Sequence, residues 1–118
     1  MITHPVDWSG HIPAPTDMSE DQLLANVMAY AKWLRLCAYH TYDSRKSPRG
    51  FPDVVAAGPG GVLFSELKSQ YGDMSPDQTA WKYMLLAAGA TWHLWRPSDW
   101  TSGRITTALR SLTRKATP

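Results

Sequence analysis

At 118 residues the chain has room for one hydrophobic core and not for two. The single Cys37 excludes a disulfide within the chain and leaves a zinc site short of thiolates, which fits a reducing compartment, and no apolar run approaches the ~18 residues of a membrane span. The net charge of +2 is unevenly spread: Met1 to Asp21 hold four acids (Asp7, Asp17, Glu20, Asp21) and no Lys or Arg, so the remainder carries twelve bases against six acids, a balance that suits a polyanionic partner. With no secretory leader legible, the expected location is the cytoplasm and no membrane partner is expected.

In chain order, residues 1–18 read as an irregular leader punctuated by Pro5, Pro13 and Pro15, with Trp8 expected to pack on the body. A single domain is expected over 19–118. Ser19 followed three residues later by Gln22 is a capping-box pattern, and Leu24, Val27, Met28, Ala31 and Leu34 follow at helical spacing, so the pattern predicts an amphipathic helix from Ser19 to about Leu36. "CAYHTYD" is aromatic and strand-prone; Cys37 at its start reads as a buried small hydrophobe. "SRKSPRG" is a basic loop, and "DVVAA", "GPGG" and "VLFSELK" together read as a hairpin. "MSPDQTAWKYMLLAAGA" opens a second helix with Ser75 as N-cap, Pro76 in the first helical position and Gln78 three residues after the cap, and stops at Gly89. "TWHLW" is a fourth strand, with Trp92 and Trp95 on opposite faces, and Thr101 to Ala116 reads as one closing helix with Ile105, Ala108, Leu109 and Leu112 inward. The order helix, three strands, helix, strand, helix makes this an α/β fold with a mixed sheet.

The hairpin carries the chemistry. A symmetric loop over Gly58 to Gly61 pairs Ala57 with Val62, and counting back along both strands sets Asp53 opposite Glu66. Directly opposed residues have Cβ atoms roughly 4.5–5.5 Å apart. Two carboxylates so close repel unless a proton or a cation sits between them. Lys68, two residues beyond Glu66, shares its strand face. Glu20 is on the inward stripe of the first helix, where it either faces the sheet or complements the helix dipole. Gln78 shares a face with Trp81, expected in the core, and either caps its own helix, looks into the site, or does both.

"GFPDVV", "ELKSQYGDMSPDQTAWKYMLLAAGATWHLWRP" and the helix-first order resemble the PD-(D/E)XK nuclease superfamily, and within it the VRR-NUC branch of small nuclease domains of phages and DNA-repair proteins, over about Ser19 to Trp100. The resemblance implies a restriction-endonuclease-like core, helix-β-β-β-helix-β with a C-terminal helix. It implies that Asp53, Glu66 and the backbone carbonyl of Leu67 bind a divalent metal, that Lys68 assists the attacking water, that Gln78 supports the site, and that Glu20, with Asp21 adjacent, is the first-helix acid and an additional ligand if two metals act. Mg²⁺ is the expected cofactor, with Mn²⁺ able to substitute, because an all-oxygen donor set suits hard cations. The implied function is a metal-dependent endonuclease acting on DNA, including branched, flapped or Holliday-junction structures; the alternative is a non-catalytic nucleic-acid-binding module on the same fold, and a more distant one is a structural protein of a virus. A homodimer is compatible with two-site cutting of junctions. Arg45, Lys46 and Arg49, in the loop leading to Asp53, are candidate phosphate contacts or a solvated basic loop, and Tyr71 and Arg96 are further candidates for nucleic-acid binding.

Overall fold

The computed structural model describes residues 17–42 and 47–115. Trp8, Arg45 and Lys46 therefore lie outside the described residues. The elements run α1 (Glu20–Trp33), β1 (Cys37–His40), β2 (Val54–Gly58), β3 (Gly61–Leu67), α2 (Pro76–Ala87), β4 (Thr91–Trp95), α3 (Pro97–Thr101) and α4 (Arg104–Arg110), with a 3₁₀ turn at Ser111–Thr113. One four-stranded sheet has the order β1-β2-β3-β4. Its first three strands are antiparallel, and β3 and β4, joined through α2, are parallel. This is the expected mixed sheet flanked by helices.

Local signals explain most boundaries. Ser19 caps α1, its hydroxyl accepting from Gln22 N at 3.1 Å while Gln22 Oε1 accepts from Ser19 N at 2.8 Å. The helix ends at Trp33, short of Leu36, because Arg35 takes a left-handed conformation (φ 62). Its buried stripe is Leu23, Asn26, Val27, Tyr30 and Ala31, with Leu24, Met28 and Leu34 only partly covered, so the inward face is turned by about one residue from the expected one. Of the leader residues described, Met18 is buried in the core, so the folded body begins before Ser19.

Almost the whole core lies on one face of the sheet. Val54 and Ala56 of β2, Leu63 and Leu67 of β3 and Trp95 of β4 pack against Leu23, Val27 and Tyr30 of α1, Trp100 of α3, Ile105 and Leu109 of α4, and Leu112. The opposite face is covered thinly by α2, which contributes no fully buried residue. Trp81, expected in the core, is half-buried and stands edge-on to Phe51 at 5.1 Å, which stands edge-on to Phe64 at 6.2 Å. Trp81 packs on a lining aromatic because the sheet's other face already holds α1 and the C-terminal elements.

Two further expectations are corrected. Cys37 is exposed, since it begins an edge strand on the thinly covered face. The closing helix is two helices and a 3₁₀ turn. Pro97 starts α3, with Asp99 Oδ2 accepting from Arg96 N at 2.8 Å, and Gly103 (φ 84) breaks the chain direction before α4. A left-handed residue costs a non-glycine about 1–2 kcal/mol, so the break falls on the glycine. Ile105, Leu109 and Leu112 all follow the break, and their inward spacing runs on from α4 into the 3₁₀ turn, with all three buried.

Candidate active site

The hairpin register sets the centre. Val54 pairs with Ser65 and Ala57 with Val62, so the next step along both strands brings Asp53 opposite Glu66 on the face away from the main core. Asp53 Oδ2 accepts from Leu67 N at 2.8 Å, which clamps this carboxylate to the end of β3. Thr41 holds the preceding segment: its N–H donates to Asp53 O at 2.9 Å and its hydroxyl to Pro52 O at 3.0 Å. Gly50 (φ 92) is fixed by crowding as well as by conformation, because a Cβ there would stand 2.4 Å from the backbone of Asp77. The Gly-Phe-Pro-Asp segment is thus wedged between β1 and the start of α2.

Glu66 is 1% exposed. Its Oε1 accepts from Gln78 Nε2 at 2.9 Å, while its Oε2 is buried with no donor group against it, so that a bond to the Asp53 carboxylate requires a proton on one of the two. Burial, first, and then a hydrogen bond with Asp53 and the Asp53 charge push the Glu66 carboxyl up to about 9, with Lys68 opposing. Gln78 holds both of its expected posts at once, since its Oε1 also accepts from Ser75 N at 2.8 Å and Ser75 Oγ accepts from Gln78 N at 3.2 Å.

Glu20 lies one turn before Leu23, at the start of α1, and is exposed rather than part of its buried stripe. Desolvation and then the Asp53 charge raise its carboxyl, and Lys68 lowers it, so Glu20, Asp53, Glu66 and Lys68 form one electrostatic group. Asp21 is exposed. Among the described residues no three His, Cys, Asp or Glu side chains converge as a metal cluster, so the carboxylates that meet are the Asp53–Glu66 pair, and Glu20 acts on it through charge. The pair fits a hard cation on its chemistry: it offers only oxygens, and one of them is buried with no donor group against it.

The other candidates lie in the segments that flank β2, β3 and β4. Arg49 is exposed in the loop before Gly50. Tyr71 is 82% exposed and lines a groove with Ser69 and Gln70 beside Met18 and Ser19. Arg96 is committed to the backbone: its Nη1 donates to the carbonyls of Ser69 at 2.9 Å, Gln70 at 3.2 Å and Gly72 at 2.7 Å, and so shapes the loop that follows Lys68. Sequence reasoning missed this brace, and also Thr41, whose residue type and spacing carry no signal of either bond.

No family model matches the sequence, and no curated protein matches it. A solved structure described as a VRR_NUC domain protein is similar in fold, with a TM-score of 0.58 and 16% sequence identity over 81% of this chain and 92% of that chain. The chain is an α/β protein with a restriction-endonuclease-like architecture. More narrowly, its fold is VRR-NUC-like. Among the described residues no helix is long and apolar enough to cross a membrane.

Proposed function

We propose that the protein is a metal-dependent nuclease that hydrolyses phosphodiester bonds in DNA. The observation that carries this is the pairing of Asp53 with a buried Glu66, two carboxylates that can meet only with a proton or a bound cation between them. The VRR-NUC-like fold supports the same reading.

Asp53, Glu66 and the Leu67 carbonyl would hold the ion, Mg²⁺ or Mn²⁺, and Glu20 would contribute charge from α1. Such an ion supplies an acidified water and compensates the charge that grows on the phosphate. The chain's own groups do the positioning. Leu67 N–H fixes one oxygen of Asp53 and Gln78 fixes one oxygen of Glu66, which leaves the remaining oxygens free to ligate. Lys68, which follows the end of β3 and lowers the Glu66 and Glu20 carboxyls by its charge, would orient the attacking water and stabilise developing negative charge. Arg49, in the loop before Gly50, and Tyr71, in the loop after Lys68, are both exposed and would meet phosphate and sugar of a substrate.

The test is incubation of the purified protein with plasmid and branched DNA in Mg²⁺ or Mn²⁺, beside Asp53→Ala, Glu66→Ala and Lys68→Ala. Cleavage by the wild type, lost in all three variants and on removal of the metal, is expected. Equal cleavage by all four proteins would refute the assignment. DNA binding without cleavage at any metal concentration would favour a non-catalytic binding module.

A further inference from the structure

The two ends of the fold differ in charge. The start of α1 lies at the carboxylate end, where Glu20 feels the charges of Asp53 and Lys68. The helix has 14 residues and spans about 20 Å, so its far end is well separated from that centre. Several segments meet there. A Cβ at Gly58 would strike both the Leu36 side chain and the Leu112 carbonyl, and Gly60 N donates to Leu112 O at 2.9 Å, so the chain leaving α1, the hairpin turn and the C-terminal 3₁₀ turn converge. Arg110 Nε donates to the Tyr30 hydroxyl at 2.7 Å and Trp33 stacks on the Tyr30 ring at 5.7 Å, which ties the last turn of α4 to the same end.

This end carries Lys32, Arg35, Arg110, Arg114 and Lys115, all exposed. No acid occurs in residues 22–42, 54–65 or 100–115, from which it is built, and residues 116–118 bear no charged side chain. Among the described residues the ion pair is Arg104–Asp99 at 3.5 Å, at the opposite end of α4. A base in the last turn of a helix complements the helix dipole and needs no ligand, which accounts for Lys32 on α1 and Arg110 on α4. Arg35, Arg114 and Lys115 lie outside both helices and add to a positive field that no neighbouring acid offsets.

We propose that this basic end is a second nucleic-acid contact, separate from the carboxylate site, which holds the phosphodiester backbone without reading sequence. Exposed cations with no carboxylate among them match a polymer that carries a negative charge on every nucleotide. Trp33 keeps one ring face on Tyr30 and is still 65% exposed, so it can pack against sugar or base beside the phosphates. An anionic membrane also attracts bases, but the apolar stripe of α1 is buried in the core and leaves no amphipathic face to insert. The choice of DNA as the polyanion rests on the nuclease reading. The contact itself needs no metal.

The experiment is fluorescence anisotropy of the full chain on a fluorescein-labelled blunt duplex in EDTA, over a range of NaCl concentrations. Wild type is compared with Lys32→Gln/Arg114→Gln and with Lys82→Gln/Arg104→Gln, which removes the same charge elsewhere; thermal unfolding checks that both variants fold. Lys32→Gln/Arg114→Gln is expected to bind on the order of tenfold more weakly, with a slope of log affinity against log salt shallower by about 2. The control variant is expected to keep the wild-type slope. An unchanged affinity and slope in Lys32→Gln/Arg114→Gln, or an equal change in the control, overturns the second contact; if wild type still cuts DNA, the nuclease reading stands. Wild type that binds through this end yet cuts DNA with no metal supplied or added leaves the contact in place and defeats the metal-dependent reading. Failure of wild type to bind the duplex overturns the contact, and binding to phosphatidylserine vesicles in that case identifies a membrane surface instead.

Discussion

Gln78 Nε2 donates to Glu66 Oε1 at 2.9 Å while the same side chain closes the capping box of its own helix through Ser75. The start of α2 and the end of β3 are therefore tied by one amide. A capping residue is cheap to fix, because its helix already restrains it, so the Glu66 carboxylate is held by a group with little remaining freedom.

Gln78→Ala removes both ties. DNA cleavage is expected to fall about 10–100-fold, the usual cost of losing a side chain that orients a metal ligand. Gln78→Glu keeps an acceptor for Ser75 N but loses the N–H donor to Glu66 and adds a negative charge. It should preserve helix stability and still lose activity. Thermal unfolding and cleavage rates measured side by side separate the two roles, and full activity in Gln78→Glu would show that the donor is unimportant.

Glu66 makes the metal-free protein sensitive to pH. Its carboxyl is raised from 4.5 to about 9 on folding, so the folded chain holds a proton there that the unfolded chain releases. The stability from this proton is fully present below pH 4.5 and is lost as pH rises through about 9. Glu66→Gln mimics the protonated form, its Oε1 still able to accept from Gln78 and its amide able to donate to Asp53. Without divalent cations at pH 8 it should be more stable than wild type by a few kcal/mol, because wild type must take up a proton well above the ordinary carboxyl range at a cost of about 1.4 kcal/mol per pH unit. The gap should close toward pH 4.5. Urea unfolding across pH reads this directly, and a wild type as stable as the variant at pH 8 contradicts it.

Gly50→Ala should destabilise the protein by on the order of 2 kcal/mol or more, since the residue is left-handed and its Cβ would meet the Asp77 backbone. The displaced neighbours are the segment leading into Asp53 and the first turn of α2, so cleavage should fall with stability. A melting temperature within about 1 °C of wild type would show that the wedge is loose.

Arg96→Ala opens three bonds to the loop over Ser69, Gln70 and Gly72, each involving a charged donor. A loss of about 1.5–3 kcal/mol is expected in urea unfolding. Arg96→Lys should recover only part of it, because a single ammonium cannot reproduce the reach of the planar guanidinium. Complete rescue by lysine would show that charge alone matters.

The centre of the site was legible because it depends on symmetry and on local chemistry. "GPGG" allows one register, Gly58 pairs with Gly61, and the register then carries Asp53 to Glu66 without knowledge of the rest of the fold. Both capping boxes were equally local, since each needs two residues at a fixed interval. What was not legible depends on distant partners. Cys37 and Trp81 are apolar in isolation, and only the crowding of the core onto one face leaves them outside it. The apolar spacing of residues 105–112 begins beyond Gly103 and runs on from α4 into the 3₁₀ turn, so periodicity did not reveal Gly103 as a boundary, although Pro97 and Asp99 marked an earlier helix start. Arg96 read as a free cation because its acceptors are backbone carbonyls 24 to 27 residues away, which leave no trace in composition.

The most direct measurement is calorimetric titration of Mn²⁺ into the wild type, Asp53→Ala and Glu66→Ala at one pH. Saturable binding by the wild type, abolished in each variant, is expected if the paired carboxylates exist to hold a cation. Identical Mn²⁺ binding by all three proteins, or none by the wild type, would contradict it.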